Sequence, residues 1–155
     1  MIDTTITLEQ LNRGSLANMG QNLGIEFTAI DAHCLEASMP VDHRTRQPLG
    51  YLNGGASAAL CETVGSTAAY LSIDRTQYYC LGIEIKCNHI KSIREGSVIA
   101  RASPIHIGRT TQVWQIEIRS AADAALLCFS THTVSVIPYI PGQREQLMAH
   151  IEGFI

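Results

Sequence analysis

Between Gln47 and Ile73 the chain carries a single charged side chain, Glu62. Before it run Asn53-Gly54-Gly55-Ala56-Ser57-Ala58-Ala59-Leu60-Cys61, and after it Thr63-Val64-Gly65-Ser66-Thr67-Ala68-Ala69. A carboxylate left among small and apolar residues is either paired or used. Used, it suits base or nucleophile work on an acyl group. Paired, it would be a buried acid held by a distant Lys or Arg. Ser66, at i+4, shares its helix face and is placed to hold Glu62 or orient a water.

The Asn53-Gly54-Gly55 triplet supplies a second chemistry. A helix start exposes backbone N–H groups and the positive end of the helix dipole. Glycine there allows close approach of a ligand, which makes an oxyanion hole or an anion seat. Glu62 follows Gly54 by eight positions, so the two stand ~12 Å apart along one helix. A reacting carbonyl must lie about 3 Å from both partners. One helix cannot serve one substrate with both. Two antiparallel helices related by a twofold axis can, so joint action requires a site shared between two subunits.

Other catalytic patterns fail on spacing. Gly55-Ala56-Ser57-Ala58-Ala59 opens like a nucleophile elbow but lacks its second glycine. There is no dinucleotide or P-loop glycine motif. Cys61 adjoins Glu62 but points another way on a helix. The six histidines show no metal-ligand spacing, so no metal site is indicated. Five cysteines, with no CxxC pair, read as reduced thiols of a cytoplasmic protein.

With 155 residues, 46% hydrophobic, the chain is sized for one packed domain. Its net charge of −3, without a basic block, argues against nucleic-acid binding. The N-terminus lacks a signal-peptide pattern. The stretch around Glu62 is too rich in Gly, Ala, Ser and Thr for a membrane span and reads as a buried helix.

The elements that must position these groups follow from periodicity. Thr7 to Leu11 reads as a short helix, with Thr7 and Gln10 forming a capping box. Residues 25–30 and 34–39 alternate on either side of a polar break, as a strand hairpin. Asn53 to Ser72 reads as one long helix capped by Asn53 and largely buried all round. Four strands follow: Tyr79–Ile90, Ser97–Pro104, Thr110–Ser120 and Ala125–Ile137. Trp114, Ile116 and Ile118 share one face of the third. Residues 138–155 form an extension outside the domain of residues 1–137, with one more short amphipathic helix through Leu147, Met148 and Ile151. The fold class is α+β: a curved antiparallel sheet wrapped around one long helix, with a second copy of the chain covering the rest of it.

At this point a resemblance is visible. The run from Met39 to Ser66, together with Leu81-Gly82-Ile83-Glu84-Ile85, Asn88-His89, Arg94-Glu95-Gly96, Pro104-Ile105-His106-Ile107-Gly108-Arg109 and Gln112-Val113-Trp114-Gln115-Ile116, resembles the hotdog-fold acyl-CoA thioesterases. The similar branch is that of 1,4-dihydroxy-2-naphthoyl-CoA and enterobactin-proofreading thioesterases. The resemblance spans about residues 7 to 137. It implies hydrolysis of an aromatic or medium-chain acyl thioester by Glu62, as nucleophile or general base. It gives Gly54, with Gln47, the role of polarising the thioester carbonyl from the partner subunit, and Ser66 that of assisting Glu62. His89, Lys91 and Ser92 would meet the CoA arm, with Gly55 and Gly82 in the substrate-binding set. No cofactor is implied, CoA being part of the substrate, and the assembly would be a homotetramer of dimers. Val64, Ala68, Leu71 and Ile83 are expected around the acyl group. The chain departs from the family at Asn53, where relatives carry His. An amide can cap the helix and donate a hydrogen bond but cannot take a proton. That departure motivates a rival reading, a non-catalytic acyl-CoA-binding module. A hotdog hydratase is a third, weakened by the loss of the same imidazole.

Overall fold

A computed structural model describes residues 1–14 and 18–148. The chain runs α1 (Leu8–Gly14), α2 (Met19–Leu23), β1 (Glu26–Ile30), β2 (Leu35–Pro40), α3 (Gly54–Tyr70), β3 (Tyr78–His89), β4 (Ser97–Ile107), β5 (Thr111–Ser120), β6 (Leu126–Pro138) and α4 (Gln143–Met148). Six strands form one sheet in the order β1-β2-β4-β5-β6-β3, antiparallel throughout. The helix α3 packs on its concave face, against β2, β3, β4, β5 and β6. This is the hotdog architecture.

Local chemistry sets the element ends. At α1 the capping box is reciprocal: Thr7 N–H donates to Gln10 Oε1 at 2.8 Å and Gln10 N–H to Thr7 Oγ1 at 3.2 Å. Asn53 caps α3, its Oδ1 accepting the Gly55 N–H at 2.7 Å. The short α2 was not expected from periodicity; Asn18 caps it, and Gly24 ends it at φ 71°. The strand β4 runs past Pro104 to Ile107, beyond its expected end. Pairing of β2 with β4 stops at Ala102, so Pro104 faces no strand on that side and its missing N–H costs no ladder bond. The final helix is described over Gln143–Met148 and buries nothing there; Leu147 is exposed, and Ile151 lies outside the described residues.

The core lies between α3 and the sheet. Leu60, Val64 and Ala68 of the helix meet Trp114, Ile116 and Ile118 of β5, all fully buried. Within one chain the burial of α3 is one-sided, and the uncovered face is the part that the sequence reading assigns to a second copy. Ala58, Ala59, Glu62, Thr63, Ser66, Thr67 and Tyr70 stay partly exposed. Thr63 and Thr67 turn their hydroxyls back to the carbonyls of Ala59 and Thr63, so this face keeps few free polar groups. Val64, Ala68 and Leu71 are core residues, not the acyl-pocket lining expected of them; Ile83 is exposed on the edge strand.

The two sheet edges differ. Beside β1, Asn12 of α1 donates to the Phe27 carbonyl at 3.0 Å and accepts the Phe27 N–H at 2.8 Å, standing in for a strand partner. At the other edge β3 runs 12 residues and pairs only with β6. It presents Leu81 and Ile83, which are 55% and 64% exposed.

Candidate active site

The start of α3 opens on a cavity of about 570 Å³ lined by Gln47, Gly54, His89, Lys91 and Ser92 among others. Five residues singled out from sequence thus share one pocket, although they come from the loop before α3, the helix start and the end of β3. Asn53 anchors the helix start, donating its backbone N–H to the Thr45 carbonyl at 2.8 Å. Its Oδ1 occupies the Gly55 N–H, so Gly55 contributes an N–H to the cap and not to a ligand. The Gly54 N–H precedes the first helical hydrogen bond and points out of the helix end. A Cβ at Gly54 would stand 3.0 Å from His89 Nε2, so the absent side chain is what lets the imidazole approach. Gln47 Oε1 accepts the Leu49 N–H at 2.6 Å, which leaves the amide's donors for a ligand. At the rim, Arg94 donates to Tyr51 Oη at 2.7 Å and stacks 4.2 Å over its ring. That pair and the apolar lining from Leu52, Ile90, Ile93 and Leu127 were not anticipated from sequence.

Glu62 does not line this cavity. It sits two turns further along α3, on the partly exposed helix face, with its side chain 39% exposed. Ser66 Oγ donates to Glu62 Oε1 at 3.0 Å, as the i+4 spacing predicts. The carboxylate is not a lone charge: His132 Nδ1 lies 3.2 Å from Glu62 Oε2. The partner is thus neither Lys nor Arg but an imidazole on β6, fully buried. The ring also places Nδ1 2.9 Å from the Glu84 carbonyl oxygen and Nε2 3.0 Å from Ser66 Oγ. Gly82 of β3 faces this group. A Cβ there would collide with Glu62 Oε1 and stand 2.8 Å from His132 Cε1. Gly82 therefore makes room for the carboxylate and the ring. Sequence reading missed His132. Its one signal was position: in β6, Ser130, His132, Val134 and Val136 alternate onto the buried face.

One turn before the His132 contact, three thiols converge. The Sγ atoms of Cys61, Cys87 and Cys128 all lie within 4.8 Å of one another, and all five cysteines are free. No local spacing announces this trio, because α3, β3 and β6 each contribute one member. Hydrogen bonding from Cys61, opposed by burial, brings the Cys87 thiol down to about 6. Contacts with Cys128 and Cys87, and burial, push Cys61 strongly up.

Comparison with known proteins agrees with this arrangement. Residues 49–126 match the model of the Thioesterase superfamily. The chain is 46% identical over 132 residues to the 1,4-dihydroxy-2-naphthoyl-CoA hydrolase of Escherichia coli, covering 85% of this chain and 95% of that protein. It is 47% identical over 113 residues to the proofreading thioesterase EntH of Cronobacter turicensis, covering 73% and 82%. Among solved structures, thioesterase HI1161 from Haemophilus influenzae superposes with a TM-score of 0.87 at 45% identity, over 91% of this chain and 97% of that one. A mutant of thioesterase PA1618 from Pseudomonas aeruginosa gives 0.86 at 46%, over 89% and 99%. Fold, motifs and relatives agree, and the chain belongs to the Thioesterase superfamily as a hotdog-fold thioester hydrolase.

Proposed function

We propose that the protein hydrolyses an acyl-CoA thioester with an aromatic or medium-chain acyl group, at a site shared by two copies of the chain. The carrying observation is the division of the functional groups. Gln47, Gly54, His89, Lys91 and Ser92 gather at the helix start, while Glu62 and Ser66 lie eight and twelve positions further along the same helix. The separation of Gly54 and Glu62, ~12 Å along the axis, exceeds what one carbonyl can bridge. Pairing two α3 faces antiparallel would bring Glu62 of one copy to the pocket of the other. The open face of α3 and the bare β3 edge support such a dimer, since an unpaired apolar edge strand is a ready pairing surface. In the same reading, dimers pair again into a homotetramer.

In this reading the thioester carbonyl oxygen accepts hydrogen bonds from the Gly54 N–H and the Gln47 amide. These stabilise the charge that develops on that oxygen. Glu62 attacks the carbonyl carbon or takes a proton from the attacking water, and Ser66 holds the carboxylate in register. The C–S bond breaks and CoA leaves as the thiol. Lys91 and His89, at the pocket mouth, are suited to the CoA phosphates; Lys acts there as a point charge. No metal or cofactor is needed for these steps. Five free thiols fit a reducing compartment, the cytoplasm.

A thiol-release assay over a panel of acyl-CoA and acyl-carrier-protein thioesters tests the proposal. Turnover is expected for aryl or medium-chain CoA esters and not for Glu62→Ala. Thermal stabilisation by CoA without thiol release would instead favour the non-catalytic binding module that Asn53 suggested. Full activity of Glu62→Ala would overturn the role given to the carboxylate.

A further inference from the structure

A second imidazole stands in the middle of α3, away from the pocket that His89 lines. His132 is fully buried, yet both of its ring nitrogens meet the Glu62–Ser66 pair. Two glycines face it. A Cβ at Gly65 would stand 2.8 Å from His132 Cδ2, and one at Gly82 would stand 2.8 Å from Cε1. Both α3 and β3 therefore leave space for this ring.

The hydrogen-bond roles are constrained. Nδ1 faces two acceptors, the Glu84 carbonyl at 2.9 Å and Glu62 Oε2 at 3.2 Å. Neither can donate to it while Glu62 is a carboxylate, so Nδ1 carries a proton. Nε2 faces Ser66 Oγ at 3.0 Å, and Ser66 Oγ faces Glu62 Oε1 at 3.0 Å. Ser66 has one proton to give. With a neutral ring the hydroxyl must choose between Nε2 and Oε1. With a doubly protonated ring Nε2–H donates to Ser66, Ser66 donates to Glu62, and every contact is satisfied at once.

We infer that His132 is a positioning residue of the thioesterase site, which clamps both oxygens of Glu62 and takes up, through Ser66, the proton that Glu62 gains in the reaction. The inference rests on the proposed role of Glu62. The proton balance is closed. A proton leaving the attacking water passes to Glu62. As it moves on to Ser66 Oγ, the Ser66 proton moves to His132 Nε2. The reverse path returns it to the departing thiolate. Glu62 is thereby restored as a carboxylate without loss or gain of a proton in the cycle. The arrangement gives the proposed reacting carboxylate an imidazole partner within its own chain.

Two measurements test it. The first is independent of turnover. Nitrogen-15 spectra of histidine-labelled protein should show His132 protonated at Nδ1, and Ser66→Ala should shift the Nε2 resonance while leaving Nδ1 in place. A ring protonated only at Nε2, or an Nε2 resonance indifferent to Ser66→Ala, would overturn the inference even in a fully active enzyme. The second is kinetic. His132→Phe should lower kcat about 10- to 100-fold with KM nearly unchanged. His132→Asn, whose amide can still donate at the Nδ1 position, should recover part of the loss. Turnover within twofold of the native protein in both variants would overturn the inference. If the native protein releases no thiol from any ester, the proposed function fails, and the spectra still decide whether His132, Ser66 and Glu62 form one network.

Discussion

The helix α3 carries two clusters of functional groups, and they are built in opposite ways. At its start, the proposed donors are fixed by local backbone contacts: the Gly54 N–H beside an Asn53 cap, and the Gln47 amide held through its oxygen by the Leu49 N–H. Both of these hydrogen bonds span two residues. In its middle, the group proposed to react is a side chain, Glu62, and its setting is assembled from Ser66 on the same helix, His132 on β6 and Gly82 on β3. The first cluster depends on the helix having a start; the second depends on the whole sheet closing over the helix. Fixed dipoles suit the stabilisation of a developing oxyanion, because they need not move. A carboxylate proposed to gain and lose a proton is served by a partner able to do the same.

That contrast ranks the substitutions. Replacing Glu62 by Gln removes the only group proposed to react while keeping its size. Thiol release should fall about 10²–10⁴-fold. The melting temperature should stay close to native, because Gln keeps an oxygen for the Ser66 hydroxyl and His132 Nδ1 keeps the Glu84 carbonyl at 2.9 Å. Steady-state assays and a thermal melt on the same sample check both halves. A loss of activity matched by a loss of folding would make Glu62 structural.

The same contrast explains what could be read from sequence. The helix-start cluster was legible because its causes are local: the Asn-Gly-Gly triplet announces a cap and a close approach, and the uncharged run marks the helix that follows. The capping box at Thr7 and Gln10, the hairpin and the alternation of Trp114, Ile116 and Ile118 are local for the same reason. The carboxylate cluster was legible only by half. Glu62 and Ser66 are four residues apart and share a helix face by spacing alone, but His132 lies 66 residues beyond Ser66. Only the pairing of β6 with β3 and β5 brings it there. The convergence of Cys61, Cys87 and Cys128 escaped for the same reason. The continuation of β4 past Pro104 depended on where β2 happens to stop.

A sharper cut at the first cluster is Gly54→Pro. Proline is tolerated at the first helical position, where its absent N–H has no helical partner. The preceding residue must be extended, and Asn53 already sits at φ −71°, ψ 134°. The substitution therefore deletes the backbone N–H proposed to bind the thioester oxygen while preserving the helix; the added Cβ would stand 3.0 Å from His89 Nε2, so that ring must shift. Turnover should drop about 10²–10³-fold, the usual worth of one oxyanion donor. Coexpressing Gly54→Pro with Glu62→Gln then tests whether the two clusters meet across a subunit boundary. Half of randomly formed dimers would be mixed, and each mixed dimer would own one intact site, so about a quarter of native activity should return. No recovery in dimers shown to be mixed would place both clusters' partners within one chain.

The smallest expected effects fall on Asn53, where capping and donation can be separated. Asn53→Ala removes the Oδ1 that accepts the Gly55 N–H at 2.7 Å, at a cost of about 1 kcal/mol in stability. For a domain of this size that lowers the melting temperature by about 2–4 °C. Asn53→Asp keeps an oxygen for the cap and adds a charge that the helix dipole favours, so stability should be native or better. The same charge would lie beside the proposed oxyanion and would replace the amide's donors with acceptors only. Turnover should therefore fall more in Asn53→Asp than in Asn53→Ala, although the melting temperatures run the other way. If turnover instead follows stability across the two variants, Asn53 is a helix cap and nothing more, and the chemistry proposed for this end of α3 rests on the Gly54 N–H and the Gln47 amide.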